Sequence, residues 1–254
     1  MSHGDGTDDV HVYWTRPSYE PGLESLLDEV ERTTLSRLHL DRDRDRYISA
    51  HVLLRRVLAR HTGIPEQEQR FHRRCVLCGG PHGKPRLLTP GVDPADLVAV
   101  NALDTPQVNL SYVGSRILLA LREAGPVGVD VEHWDKTDFA GFGAVALTQA
   151  EARELLEFDV VDRSPARATW WARKEAVLKA TGHGLRVDAL NLRVSAPDVP
   201  PVLLDWTDPE IARPQVTLAD VPVPGRYEAA VAAAGHVRLR VHVHEVADVA
   251  PSPL

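Results

Sequence analysis

The chain has 254 residues, 43% of them apolar, with a formal net charge of −7. That length allows one large domain or two modest ones, and that apolar share is ordinary for a protein burying a real core. The acidic balance excludes a general nucleic-acid binder, which carries a basic surface, and no apolar run approaches the roughly 20 residues that span a bilayer.

Residues 1–9 are Gly, Asp, His and Thr in the main. They lack the basic and apolar regions of a secretory signal, so a disordered start, a cytoplasmic location and no membrane partner are expected. His11 to Thr15 reads as a first strand. Glu24 to Leu40 is amphipathic, with Leu23, Leu26, Leu27, Val30, Leu35 and Leu38 at near-helical spacing. Alternating Asp and Arg at 41–46 lead into a strong helix over Ile48 to Arg60, stopped by Gly63 and Pro65. Residues 61–107 are rich in Gly and Pro and read as loop.

A meander is expected next. Val108–Tyr112, Ile117–Leu121 and Val127–Glu132 are strand-like, and their short connections suit antiparallel pairing. Glu151–Glu157 and Ala166–Thr181 read as helices, the second ended by Gly182 and Gly184. Arg226–Ala233 reads as a strand. Val237, Leu239, Val241 and Val243 alternate with Arg238, Arg240, His242 and His244, the pattern of a half-buried strand. The expected class is α+β, in two similar halves that each pack a small antiparallel sheet on a long helix. The expected division is a disordered stretch at 1–9, an N-terminal half at 10–107, a C-terminal half with the metal site at 108–247 and a loose tail at 248–254.

Two segments carry the chemistry. In Gly128-Val129-Asp130-Val131-Glu132, residues two apart share a strand face, so Asp130 and Glu132 point together, about 7 Å apart. Two such carboxylates can share a hard cation, although a lone Asp-x-Glu is more often a solvated edge. In the Trp171–Lys179 helix, Glu175 and Lys179 are four apart and share a face with Trp171. Alone, that pair would be a surface ion pair worth a few tenths of a kcal/mol. A carboxylate framed by Trp and Ala needs a partner, and a metal would serve. Lysine is scarce: Lys84, Lys136, Lys174 and Lys179 are the whole set, and three of these fall in the segments singled out here.

Together and in this order, G-V-D-V-E and W-A-R-K-E-A-V-L-K resemble the motifs of the Sfp-type 4′-phosphopantetheinyl transferases. His82-Gly83-Lys84-Pro85 is similar to that family's G-K-P turn, and Asn109-Leu110-Ser111-Tyr112 falls where the family reads N-x-S-H-S. Arg42 to Leu58 resembles its arginine-containing helix, and Leu147 to Glu151 its acidic segment between the main motifs. The resemblance covers roughly residues 10–245. It implies a pseudo-dimeric α+β fold and transfer of phosphopantetheine from coenzyme A to a serine of an acyl or peptidyl carrier protein, leaving 3′,5′-ADP. It further implies Mg²⁺, or Mn²⁺, on Asp130, Glu132 and Glu175. Glu175 would be the base and Lys179 would meet the leaving phosphate. Coenzyme A would be held by Arg42, Arg46, Arg55, Lys84, Pro85, Ser111, Tyr112, Asp130, Lys174 and Lys179. A monomer is expected, with a broad carrier range in polyketide or nonribosomal-peptide synthesis.

The chain departs from the family at Tyr112, where the family has histidine. Tyrosine can hydrogen-bond a phosphate but carries no positive charge at neutral pH. The Pro85–Asn109 interval is also longer than the family's. Rival readings are a homologue that binds coenzyme A or a carrier without transfer, a metal-dependent phosphohydrolase, and a zinc-knuckle module. The last rests on Cys75 and Cys78, the only cysteines. His72 or His82 could add a ligand, but a second cysteine pair is missing and one knuckle holding all four ligands would be strained. A reduced, metal-free loop is the expectation there, with structural zinc the lesser reading.

Overall fold

The computed structural model describes residues 7–18, 20–75, 78–101, 104–235 and 238–247. The expected loose tail at 248–254 lies outside them, as do residues 1–6. In chain order the strands are β1 (Thr7–Thr15), β2 (Arg70–His72), β3 (Arg86–Leu88), β4 (Gln107–Val113), β5 (Arg116–Arg122), β6 (Val127–His133), β7 (Leu192–Val194), β8 (Leu203–Trp206), β9 (Val216–Asp220), β10 (Tyr227–Ala234) and β11 (Arg238–Glu245). The helices are α1 (Glu29–Leu35), α2 (Asp41–Thr62), α3 (Leu97–Asn101), α4 (Trp134–Thr137), α5 (Phe142–Ala146), α6 (Gln149–Glu154) and α7 (Arg163–Thr181). The class is α+β.

Two sheets form the centre. The first has the order β11-β1-β5-β4 and the second β6-β10-β9. Only the β1–β11 pairing is parallel among those of the two sheets. Val10, Val12, Trp14, Leu118 and Ala120 of the first sheet pack on Val129, Val131, Ala229 and Val231 of the second. Helix α2 covers the far side of the first sheet, where Leu53, Leu54, Val57 and Leu58 meet Ile117, Leu119 and Leu121. Helix α7 covers the far side of the second, where Trp170, Ala172 and Ala176 meet Ala230 and Ala232. The layers therefore run helix, sheet, sheet, helix. Strand β5 is buried along its whole length, as its unbroken apolar run Ile117–Leu121 requires.

Four expectations change. Thr7–Asp9 are strand, drawn into β1 by pairing with Arg238–Arg240. The helix expected over Glu24–Leu40 is broken into a 3₁₀ turn at Leu23–Leu26 and α1. Asp28 cuts it: its carboxylate accepts from the Glu31 backbone N–H while Glu31 accepts from that of Asp28, a capping box that starts a new helix. The meander also stops after β5. Strand β6 pairs with β10 in the second sheet instead, because its apolar side must face the first sheet to close the central core. Finally, the 61–107 stretch is not all loop: β2 and β3 form a small hairpin there. The line between residues 107 and 108 does not part the sheets, since β1 lies between β5 and β11.

Gly128 sets the spacing that matters most. A Cβ there would stand 2.3 Å from the Ala176 carbonyl oxygen and 2.3 Å from the Ala180 amide nitrogen. Only glycine lets α7 lie directly on β6. The facing positions are alanines for the same reason: Ala176 and Ala180 on the helix, Ala230 and Ala232 on β10.

Candidate active site

With α7 resting on Gly128, the next residues on that face of β6 are Asp130 and Glu132. The helix face above them carries Trp171, Glu175 and Lys179. Asp130 is 3% exposed. Its Oδ1 accepts from the Ser111 hydroxyl at 2.8 Å and from the Lys179 ammonium at 2.5 Å. Lys179 also donates to Ser111 Oγ at 3.2 Å. Asp130 Oδ2 is buried with no hydrogen-bond partner.

Strand β4 braces this group with side chains. Asn109 Oδ1 accepts from the Val129 N–H at 2.9 Å, and Ser111 Oγ from the Val131 N–H at 3.4 Å. Two polar side chains thus answer backbone donors on the free side of β6, fixing the strand that carries the carboxylates. Asn109 positions β6 through this bond, a role its place in the N-L-S-Y run does not announce. Its alternation with Ser111 was the available signal.

The electrostatics follow from crowding negative groups out of water. Burial, then the Asp130 charge, push the Glu132 carboxyl up to about 8, and Trp171 offers it a partly compensating hydrogen bond. Burial and Asp130 likewise raise Glu175 above the ordinary carboxylate range. Burial works against the charge on Lys179, but Asp130 together with Glu175 and Glu132 outweighs it and holds the ammonium above its usual range. Three carboxylates therefore share one ammonium. A further carboxylate, Glu228, stands opposite Glu132 in the β6–β10 register and is raised mainly by burial. Its strand is distant in sequence, so nothing local signalled it.

The donor set suits a hard divalent cation: carboxyl oxygens, one of them buried and unpartnered, with more acidic groups than Lys179 alone can pair. Their spacing is wider than one coordination shell. Among the described residues, the only group of metal-binding side chains whose donor atoms all lie within 4.8 Å of one another is Cys75, Cys78 and His82.

Tyr112 follows Ser111 and lies between two cations. The Arg46 guanidinium stands 5.8 Å from its ring centroid, and both Arg46 and Lys179 act on its hydroxyl. Burial is the larger effect and raises that hydroxyl further from ionisation. Arg46 is anchored by Asp43 at 2.6 Å and the Gly114 carbonyl at 3.3 Å. Positive charge thus reaches this position from α2.

Other expected residues lie elsewhere. Arg42 is exposed in the first turn of α2. Arg55 is 1% exposed and bonds Glu31 through both terminal nitrogens, at 3.0 and 2.5 Å, within a buried network that includes Arg73 and Asp28. Lys174 is turned to another side of α7, fully buried, on Glu151 at 2.6 Å and on the Ala146 and Ala189 carbonyls. Neither joins the carboxylates: each has a buried acidic partner that holds it in the scaffold. Lys84 donates to the Val127 carbonyl at 2.6 Å, at the start of β6. Burial, with Arg122 and Arg86 nearby, lowers its ammonium to about 8. Pro85 is half-buried and leads from Lys84 into β3.

No helix among the described residues is long and apolar enough to cross a membrane. A relative from Synechocystis sp., provisionally named a 4′-phosphopantetheinyl transferase, is 26% identical over 166 residues. That match covers 65% of this chain and 61% of the relative's length. The 4′-phosphopantetheinyl transferase superfamily model matches residues 126–232, the stretch that contains Asp130, Glu132, Glu175 and Lys179.

Proposed function

We propose that the chain is a 4′-phosphopantetheinyl transferase of the Sfp type, built as two related halves. It would move the phosphopantetheine arm of coenzyme A to a serine of an acyl or peptidyl carrier protein. The observation that carries this is Asp130: buried, bonded by Ser111 and Lys179 through one oxygen, unpartnered at the other, and sharing its side of the sheet with Glu132 and Glu175. The superfamily match over the same residues supports it.

In this reading Asp130, Glu132 and Glu175 would hold Mg²⁺, directly or through its bound water, and the ion would supply charge neutralisation at the pyrophosphate of coenzyme A. The chain's own groups do the rest. Glu175 takes the proton of the carrier serine. The serine oxygen bonds to the pantetheine-side phosphorus as that phosphorus parts from the bridging oxygen, and 3′,5′-ADP leaves. Lys179 stabilises the charge gathering on that leaving group. Arg46, Tyr112 and Lys84 hold the nucleotide end, with Arg42 at its edge. The enzyme works as a cytoplasmic monomer, on carriers of polyketide or nonribosomal-peptide synthesis.

The test is incubation with coenzyme A, Mg²⁺ and apo carriers from fatty-acid, polyketide and peptide synthesis, read by intact-protein mass. The expected result is a gain equal to the phosphopantetheine arm on at least one carrier. Coenzyme A binding with no gain on any carrier would overturn transfer and favour the binding-only reading that Tyr112 suggests.

A further inference from the structure

The Cys75 sulfur, the Cys78 sulfur and a His82 ring nitrogen all lie within 4.8 Å of one another. His82 Nε2 is 2.9 Å from Cys78 Sγ. The backbone shapes the turn for this. The Cys75 N–H donates to the Gly80 carbonyl at 2.8 Å, and the Gly79 N–H to the Cys75 carbonyl at 2.9 Å. The Gly80 N–H points at Cys78 Sγ, 3.4 Å away. The Arg74 guanidinium lies over Gly79, where a Cβ would stand 3.7 Å from it.

The cluster is separate from the carboxylate site but joined to it through the chain. The Gly83 N–H donates to the Arg73 carbonyl at 2.7 Å, closing the loop on its own stem. A Cβ on Gly83 would stand 2.5 Å from the Arg74 carbonyl oxygen, so only glycine permits the closure. The next residue is Lys84, whose ammonium reaches the first residue of β6.

We propose that Cys75, Cys78 and His82 bind one Zn²⁺ ion, which clamps this loop and fixes the Lys84 turn. Two sulfurs and an imidazole form a soft, tetrahedral-type donor set that selects zinc over the hard cations suited to the carboxylates. Both thiols give up their protons to solvent as sulfur–zinc bonds form, so binding releases protons and weakens in acid. His72 is outside the group, its ring lying instead near Arg74 and Arg86, so the fourth position falls to solvent. The site stands whether or not the chain transfers phosphopantetheine.

Elemental analysis of the purified, fully reduced chain, dialysed against excess Mg²⁺, tests it. About one zinc per chain is expected, falling to background in Cys78→Ser and in His82→Ala, and retained in Asp130→Asn. Cobalt exchanged into the wild-type chain should give the visible bands of a tetrahedral thiolate complex, a readout that needs no variant to fold. Absence of both zinc and cobalt–thiolate bands, or full zinc retained in a Cys75→Ser/Cys78→Ser chain, would overturn the proposal.

Discussion

Asp130 uses its two oxygens unequally, and that asymmetry distinguishes a built site from a surface cluster. Oδ1 is saturated by Ser111 and Lys179, while Oδ2 accepts nothing although it is buried. An unpartnered buried acceptor costs stability, about 1–3 kcal/mol, so replacing Asp130 should not unfold the chain. Asp130→Asn and Glu175→Gln are therefore expected to lose at least about a hundredfold in transfer rate while their melting temperatures stay within a few degrees of wild type. A near-wild-type rate for either in the apo-carrier assay would remove that residue from the site. Gly128 has the opposite profile. It touches no substrate group, yet a methyl there runs into the backbone of α7. Gly128→Ala should cost about 1–3 kcal/mol or more and lower the melting temperature by roughly 5 °C or beyond. Calorimetry checks this, and an unchanged melting temperature would mean that α7 does not lie on β6 at this distance.

At the scale of the element, the strand period put Asp130 and Glu132 on one face, and the helix period put Trp171, Glu175 and Lys179 on another. Both could be read from spacing alone because each is a local rule. That the faces meet could be read only through the family resemblance, since packing partners are not encoded locally. Lys174 shows the limit. It adjoins Glu175 in sequence but points a quarter-turn away, to a carboxylate in α6 that spacing could not single out. Removing one partner of a fully buried pair strands the other charge, at about 3–5 kcal/mol. Lys174→Met should therefore lower the melting temperature by on the order of 10 °C, with the KM for coenzyme A unchanged in the folded fraction. Pairing it with Glu151→Leu should recover much of the loss. A selective rise in KM would return Lys174 to the coenzyme A site. The Lys84 turn carries a pH signature instead. Its ammonium has a pKa of about 8, so it keeps its charge below that pH and loses it above. The KM for coenzyme A should climb as pH rises through about 8, and Lys84→Arg should flatten that climb, because guanidinium stays charged. A flat wild-type profile would free Lys84 from any contact with the nucleotide.

Across the whole molecule the two ends of the described chain are tied by β1 and β11, a parallel pair that sequence reading treated as separate short strands. Their exposed-side residues form an array of rings. His11 lies 2.9 Å from His244, stacks on His242, and neighbours His61, which Tyr13 reaches at 2.8 Å. The charged groups facing the array are Asp9, bonded to His242, Glu123, bonded to His61, and Arg240 and Arg60. For His11 and His244, burial and then the neighbouring histidines lower the pKa below the ordinary 6.5. Below that ordinary value the unfolded chain takes up protons that the folded chain still refuses, so stability falls as pH drops. The half-buried carboxylates Glu132 and Glu228, with raised pKa values, push the other way, which makes the difference between variants the informative quantity. His11→Gln should lose less melting temperature than wild type between about pH 7 and pH 5, since one refused proton is gone from the array. Equal losses in the two proteins, measured by calorimetry in matched buffers, would show that the pairing of the chain ends does not depend on neutral histidines.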